Sequence, residues 1–129
     1  MKQQIIQLED IKLLVDHFYG KVKSDAVLAP IFNERIGDQW PAHMEKMYRF
    51  WQTVLLGKHT YLGSPFTPHA TLPINETHFT RWLTLFCETM DEHFAGAKAD
   101  EAKWRAKKMA EMFQLKISYH QQNQSTPLK

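Results

Sequence analysis

Apolar residues recur every three or four positions along most of this chain, and this spacing limits its fold more than any other feature. The first stripe follows the acidic residues Glu9 and Asp10, which suit the first turn of a helix. It consists of Ile11, Leu14, Val15, Phe18, Tyr19 and Val22. No stretch alternates apolar and polar residues as a half-buried strand would, and no internal repeat is present. The pattern predicts an all-α fold.

The second and third helices are predicted from the same spacing. The second is short and is expected to end near Phe32, because glycine and proline in residues 33–41 favour a turn or irregular connection. The third stripe runs from His43 to Leu55 and places His43 on its apolar side. Gly57 stands where a left-handed residue commonly closes a helix.

The fourth and fifth helices fill most of the second half of the chain. Asn75 is a plausible N-cap for a helix that runs to about Phe94, and Gly96 separates it from the last helix. One face of that last helix is expected to carry Ala102, Ala106, Met109, Met112, Phe113 and Ile117. The polar residues 121–129 are expected to form a mobile tail.

A loop that contains His69 is predicted between the third and fourth helices. Residues 58–73 hold one glycine and three prolines, which exclude a long regular helix, so a single short turn around His69 is expected. A loop histidine is more often a solvent-facing residue than a ligand. Pro68 and Pro73, however, restrict the backbone on either side and Leu72 offers apolar cover, as an imidazole that holds a haem iron requires.

Three polar side chains fall on the apolar sides of three different predicted helices: Tyr19, His43 and Trp82. Each of them, taken alone, is more often an ordinary core residue with its polar atom bonded to the backbone. Taken together with the loop histidine His69, they outline a haem pocket. Sequence spacing does not show whether the helices bring them together.

Composition excludes several classes of function. A chain of 129 residues fits a single domain over residues 1–129. A net charge of +2 without a basic run argues against nucleic acid, and no apolar stretch is long enough for a membrane span. A secretory signal is not recognisable, so a cytoplasmic protein is expected. The only cysteine, Cys87, excludes the paired-cysteine motif of covalent haem, so any haem would be noncovalent haem b.

The chain resembles the third group of the bacterial truncated haemoglobins over nearly its whole length. The resemblance rests on both the order and the spacing of Phe18-Tyr19, Leu28-Ala29-Pro30-Ile31-Phe32-Asn33, Ile36-Gly37, Trp40, His43, Phe50-Trp51, Leu55-Leu56-Gly57, Tyr61, Pro65, His69, Leu72-Pro73 and Trp82-Leu83. It implies a shortened globin fold, with helix pairs packed two over two around a haem.

The resemblance also implies roles for individual residues. His69 would be the proximal iron ligand, while Tyr19, His43 and Trp82 would lie on the distal side. The haem would further contact Phe32, Met47, Phe50, Leu72, Phe79 and Trp82. Hydrogen-bond donors near a bound ligand favour dioxygen and slow its release. His43 could donate a hydrogen bond, swing out to admit ligands, or bind the iron itself.

The expected function is a monomeric globin that binds dioxygen and other diatomic ligands. Tight retention of oxygen does not suit bulk transport, so detoxification of nitric oxide or peroxide, or ligand sensing, is favoured. Nitric oxide dioxygenase or peroxidase-like activity would require an unidentified reductase. The alternative is a haem-free helical interaction module, in which the four site residues are ordinary core or surface residues.

Overall fold

The computed structural model describes residues 2–61, 63, 66, 69 and 72–125, and within this part the chain forms five helices and no strand. They are α1 (Leu8–Ser24), α2 (Ala29–Ile36), α3 (Trp40–Leu56), α4 (Glu76–His93) and α5 (Ala97–Ser125). The predicted all-α class is therefore confirmed. None of the helices in the described part combines the length and the apolar character of a membrane span.

Two predicted helix ends agree with the structure. Gly57 closes α3 with a left-handed φ of 68°, a conformation that glycine adopts without steric penalty. Asn75 is the N-cap of α4, and its side-chain oxygen accepts a hydrogen bond from the backbone N–H of Thr77 at 2.9 Å.

The expected end of the second helix near Phe32 is wrong. Helix α2 continues through Ile36 and ends at Gly37, whose φ is 58°. Pro41 does not belong to a connection either, because it lies in the first turn of α3. The first turn tolerates proline, since its backbone N–H groups have no partner within the helix. The irregular connection is consequently only three residues long.

The last helix is longer than expected, and one of its residues is misassigned. Helix α5 extends through Ser125, so the start of the predicted tail at Gln121 is helical, and residues 126–129 lie outside the described part. Met112, expected on the apolar face, is 48% exposed. The buried row instead follows four alanines before it reaches Phe113 and Ile117: Ala99, Ala102, Ala106 and Ala110.

Buried side chains form two clusters that meet near the middle of α5. The larger cluster joins α1, α3, α4 and the first half of α5, with Phe18 and Phe86 among its largest members. The smaller cluster consists of Ile74, Phe79, Ala110, Phe113 and Ile117. Helix α5 contributes to both clusters and so connects the main core with the region around His69.

A buried carboxylate fixes the connection between α1 and α2. One oxygen of Asp25 accepts hydrogen bonds from the backbone N–H groups of Val27 and Leu28 at 3.0 Å, and the other accepts from Nε of Arg81 on α4 at 2.6 Å. Burial alone would raise the pKa of Asp25. The bonds from Arg81 and from the two backbone groups outweigh that effect, so this pKa lies below its usual value.

Replacing Asp25 with asparagine is expected to destabilise the fold by about 1 to 3 kcal/mol, because an amide cannot accept from Arg81 and from both backbone groups at once. Urea unfolding measures the change.

The control is the same substitution at Asp91, which forms an exposed ion pair with Lys103 and should cost less than about 0.5 kcal/mol. The difference between wild type and Asp25→Asn should shrink as the pH falls below 3.8, the ordinary pKa of an aspartate, and be lost below the lowered pKa of Asp25 in the folded protein. Equal losses at both positions would contradict the assigned role of Asp25.

Candidate functional site

A cavity of ≈ 380 Å³ lies between α1, α2, α3, α4, α5 and the loop that carries His69. Its size is typical of sites that enclose a small organic molecule. All nine residues predicted for the site line it: Tyr19, Phe32, His43, Met47, Phe50, His69, Leu72, Phe79 and Trp82. The structure thus brings together side chains that are up to 63 positions apart in the sequence (82 − 19 = 63).

His69 lies in a tight turn, as the sequence predicts. Its backbone N–H donates to the carbonyl of Phe66 at 2.7 Å, and its own carbonyl accepts from the N–H of Leu72 at 3.1 Å. The imidazole is half-buried and lies 4.9 Å from the ring of Phe113 on α5, measured between ring centroids. Pro68, expected to restrict this turn, lies outside the described residues, whereas Pro73 lies within them.

His43 lies on the side of the cavity formed by α3. Its Nε2 atom is buried and has no hydrogen-bond partner in the described part of the chain. Burial lowers the pKa of His43 to about 4, and the positive charges of His69 and Lys46 add to this effect. His43 is therefore neutral at physiological pH and carries a single ring N–H. The imidazoles of His43 and His69 both line the cavity.

Tyr19 contacts His43 edge to face, with ring centroids 5.1 Å apart and ring planes at 90°. Tyr19 is almost completely buried, and this burial raises the pKa of its hydroxyl above the usual value of 10.0. The phenol therefore stays protonated and keeps its O–H as a donor.

Trp82 occupies the side of the cavity formed by α4. Its indole stacks on Phe86 at 5.6 Å with an interplanar angle of 12°, and Phe18 packs against it edge to face at 5.6 Å. These contacts with the core fix the ring while leaving it half-buried at the cavity. Neither the indole N–H nor the Tyr19 hydroxyl donates a hydrogen bond to any group in the described part of the chain.

These residues fit a haem. The cavity is lined mainly by apolar side chains, together with the imidazole of His69 and the polar side chains of Tyr19, His43 and Trp82, and the buried Nε2 of His43 has no hydrogen-bond partner in the described part of the chain. Buried polar atoms are normally satisfied, so the lack of a partner for this nitrogen among the described residues points to a ligand within the cavity.

Several lining residues were not expected at the site. Phe113 and Met109 were assigned only to the apolar face of the last helix, while Ile31, Tyr61, Ile74 and His78 had no predicted role there. Helical spacing identifies which face of α5 is apolar, but it does not show that part of this face turns from the core to a cavity. No signal in the sequence distinguished the two parts.

Comparison with known proteins identifies the class. Residues 4–117 match the family model described as bacterial-like globin. The group 3 truncated hemoglobin ctb of Campylobacter jejuni is 36% identical over 118 residues, which cover 88% of this chain and 93% of that protein. A crystal structure of a group III truncated hemoglobin from Campylobacter jejuni has a TM-score of 0.84 at 36% identity, covering 91% of this chain and 95% of that one.

The fold and the cavity are thus those of a globin. The chain belongs to the truncated haemoglobin family, in its third group, as the sequence resemblance indicates. Because globins bind haem, membership of this family supports haem binding by this chain.

Proposed function

We propose that this globin holds haem b without a covalent bond and binds dioxygen and other diatomic ligands. The observation that carries the proposal is the buried Nε2 of His43, which has no hydrogen-bond partner in the described part of the chain and lines the same cavity as His69, Tyr19 and Trp82. His69 is the proposed proximal iron ligand, held by its turn and by the ring of Phe113.

Haem iron supplies reversible binding of diatomic molecules and one-electron chemistry. The protein supplies the surroundings. Apolar walls that exclude water are formed by Phe32, Met47 and Phe50. Near His69 the same is done by Leu72 and Phe79. Tyr19 and Trp82 donate hydrogen bonds to a polar diatomic ligand, which discriminates it from an apolar ligand of the same size. Neutral His43 offers a further N–H without placing a positive charge beside the iron.

The proposed physiological role is detoxification of nitric oxide or peroxide, or ligand sensing, rather than bulk transport of oxygen. Two hydrogen-bond donors slow ligand release, which is a disadvantage for a carrier. In nitric oxide detoxification, nitric oxide and dioxygen take up one electron to form nitrate. In peroxide detoxification, hydrogen peroxide takes up two electrons and two protons to form two molecules of water. Both roles require a reductase, and the protein is proposed to act as a monomer in the cytoplasm.

Absorption spectra of the purified protein test the proposal, recorded oxidised, reduced, and reduced under carbon monoxide. We expect a Soret band that shifts sharply when carbon monoxide binds. Haem should also raise the melting temperature of haem-depleted protein, because a ligand that binds the folded state stabilises it. Absence of a Soret band after haem is added would overturn the proposal in favour of a haem-free interaction module.

A further inference from the structure

Three aromatic side chains meet where α1 faces the start of α3, and two of them, Tyr19 and His43, line the cavity. Each of Tyr19, Trp40 and His43 contacts the other two. The ring centroids of Trp40 and His43 are 5.7 Å apart with the planes at 89°, those of Tyr19 and His43 are 5.1 Å apart, and those of Tyr19 and Trp40 are 5.9 Å apart. Edge-to-face contacts of this kind are favourable and fix relative orientation.

Trp40 is itself held in place from two directions. It is the first residue of α3, three positions before His43, so both side chains project from the same side of the helix. Pro41 follows it and stiffens the first turn. The Nζ atom of Lys23, in the last turn of α1, lies 4.4 Å from the centre of the Trp40 ring. This cation–π contact connects Trp40 to α1 at the outer side of the cluster.

The contacts of His43 explain why its ring stays in an otherwise unfavourable position. Nε2 is buried without a hydrogen bond in the described part of the chain. An imidazole with an unpaired buried nitrogen gains hydration when it turns to solvent. The rings of Tyr19 and Trp40 contact the imidazole of His43 and so oppose its turning outward.

We propose that Trp40 is a positioning residue that holds the His43 imidazole inside the cavity wall. Lys23 supports it by holding the indole from outside. Trp40 thereby controls how readily His43 leaves its inward position, and so the rate at which ligands pass it. The role of His43 toward a ligand rests on the proposed function, whereas the orientation of its ring does not.

The first test measures the orientation of His43 directly. Deuterium exchange at the Cε1–H of the His43 ring, followed by mass spectrometry, reports how accessible the imidazole is. We expect Trp40→Ala to accelerate this exchange by about threefold or more, an effect in the range found when one of two residues in contact is removed. Trp40→Phe keeps an aromatic edge against His43 and should stay close to wild type. Trp104→Ala is the matched control, because Trp104 is 58% exposed on α5 and does not line the cavity.

The second test asks whether Trp40 acts through His43. Carbon monoxide association is measured by flash photolysis in a double-mutant cycle. Trp40→Ala should speed association by about threefold or more in the wild-type background, but by less than about twofold in the His43→Leu background. Equal acceleration in both backgrounds, or unchanged His43 exchange in a folded Trp40→Ala variant, would overturn the proposal. If the wild type forms no carbon monoxide complex, the proposed function fails, while the exchange experiment still decides the role of Trp40.

Discussion

Replacing His69 with alanine is expected to yield protein that does not retain haem, whereas the wild type should carry it in stoichiometric amount. The turn holds the backbone of His69 by hydrogen bonds with the backbone of Phe66 and Leu72. No other histidine of the described part is seen against the ring of Phe113. Removal of the side chain leaves the apolar walls intact but deletes the proposed bond to iron. The ratio of Soret to protein absorbance after purification measures the loss.

Two controls separate loss of the ligand from loss of the fold. His59→Ala removes an exposed histidine from the same connection and should leave haem content unchanged. Added imidazole should restore the Soret band of the His69→Ala variant, because it can occupy the space that the side chain leaves. Wild-type haem content in the variant without imidazole would contradict the assignment of His69 as the proximal ligand.

Replacing Trp82 with phenylalanine is expected to leave haem in place but to speed dioxygen dissociation. The phenyl ring preserves the stack on Phe86 and the contact with Phe18, so the substitution chiefly removes the indole N–H. A hydrogen bond to a ligand that carries partial negative charge is worth about 1.5 to 3 kcal/mol. Its loss corresponds to dissociation roughly tenfold to over a hundredfold faster. Stopped-flow replacement of dioxygen by carbon monoxide gives the rate.

Matched variants decide whether the N–H is the cause. Trp104→Phe makes the same chemical change at an exposed position and should not alter the rate. Tyr19→Phe removes the other donor and should speed dissociation in its own right. The assignment of Trp82 as a donor is refuted if the Trp82→Phe and wild-type proteins release dioxygen at equal rates.

The sequence predicts most of the fold because its helices are amphipathic and their ends carry recognisable residues. Asn75 and Gly57 end helices by local hydrogen bonding and backbone conformation, which depend on only a few neighbours. The end of α2 is less predictable. Residues 33–36 are not buried, so an apolar pattern gives little signal there, and the helix ends where the backbone N–H of Gly37 donates to the carbonyl of Asn33.

The sequence predicts part of the candidate site from residues that stand out on their own helix. Tyr19, His43 and Trp82 are identifiable because polar atoms on apolar helix faces are unusual. Trp40 and Phe113 carry no such signal, since an aromatic residue on an apolar face is ordinary core material. Trp40 meets His43 within the same helix, but its contact with Tyr19 on α1, like that of Phe113 with His69, arises from how separate segments pack, and helical spacing in one segment contains no information on that packing.

The row of alanines on α5 has a consequence for residues far from it in the sequence. Ala99, Ala102 and Ala106 are almost fully buried in the main core, and their small side chains allow α5 to approach its neighbours closely. Phe113 lies two turns further along the same rigid helix, against the ring of His69. A bulkier residue in the alanine row would displace α5 and shift Phe113 with it. The placement of His69, the proposed iron ligand, thus becomes adjustable from positions that do not line the cavity.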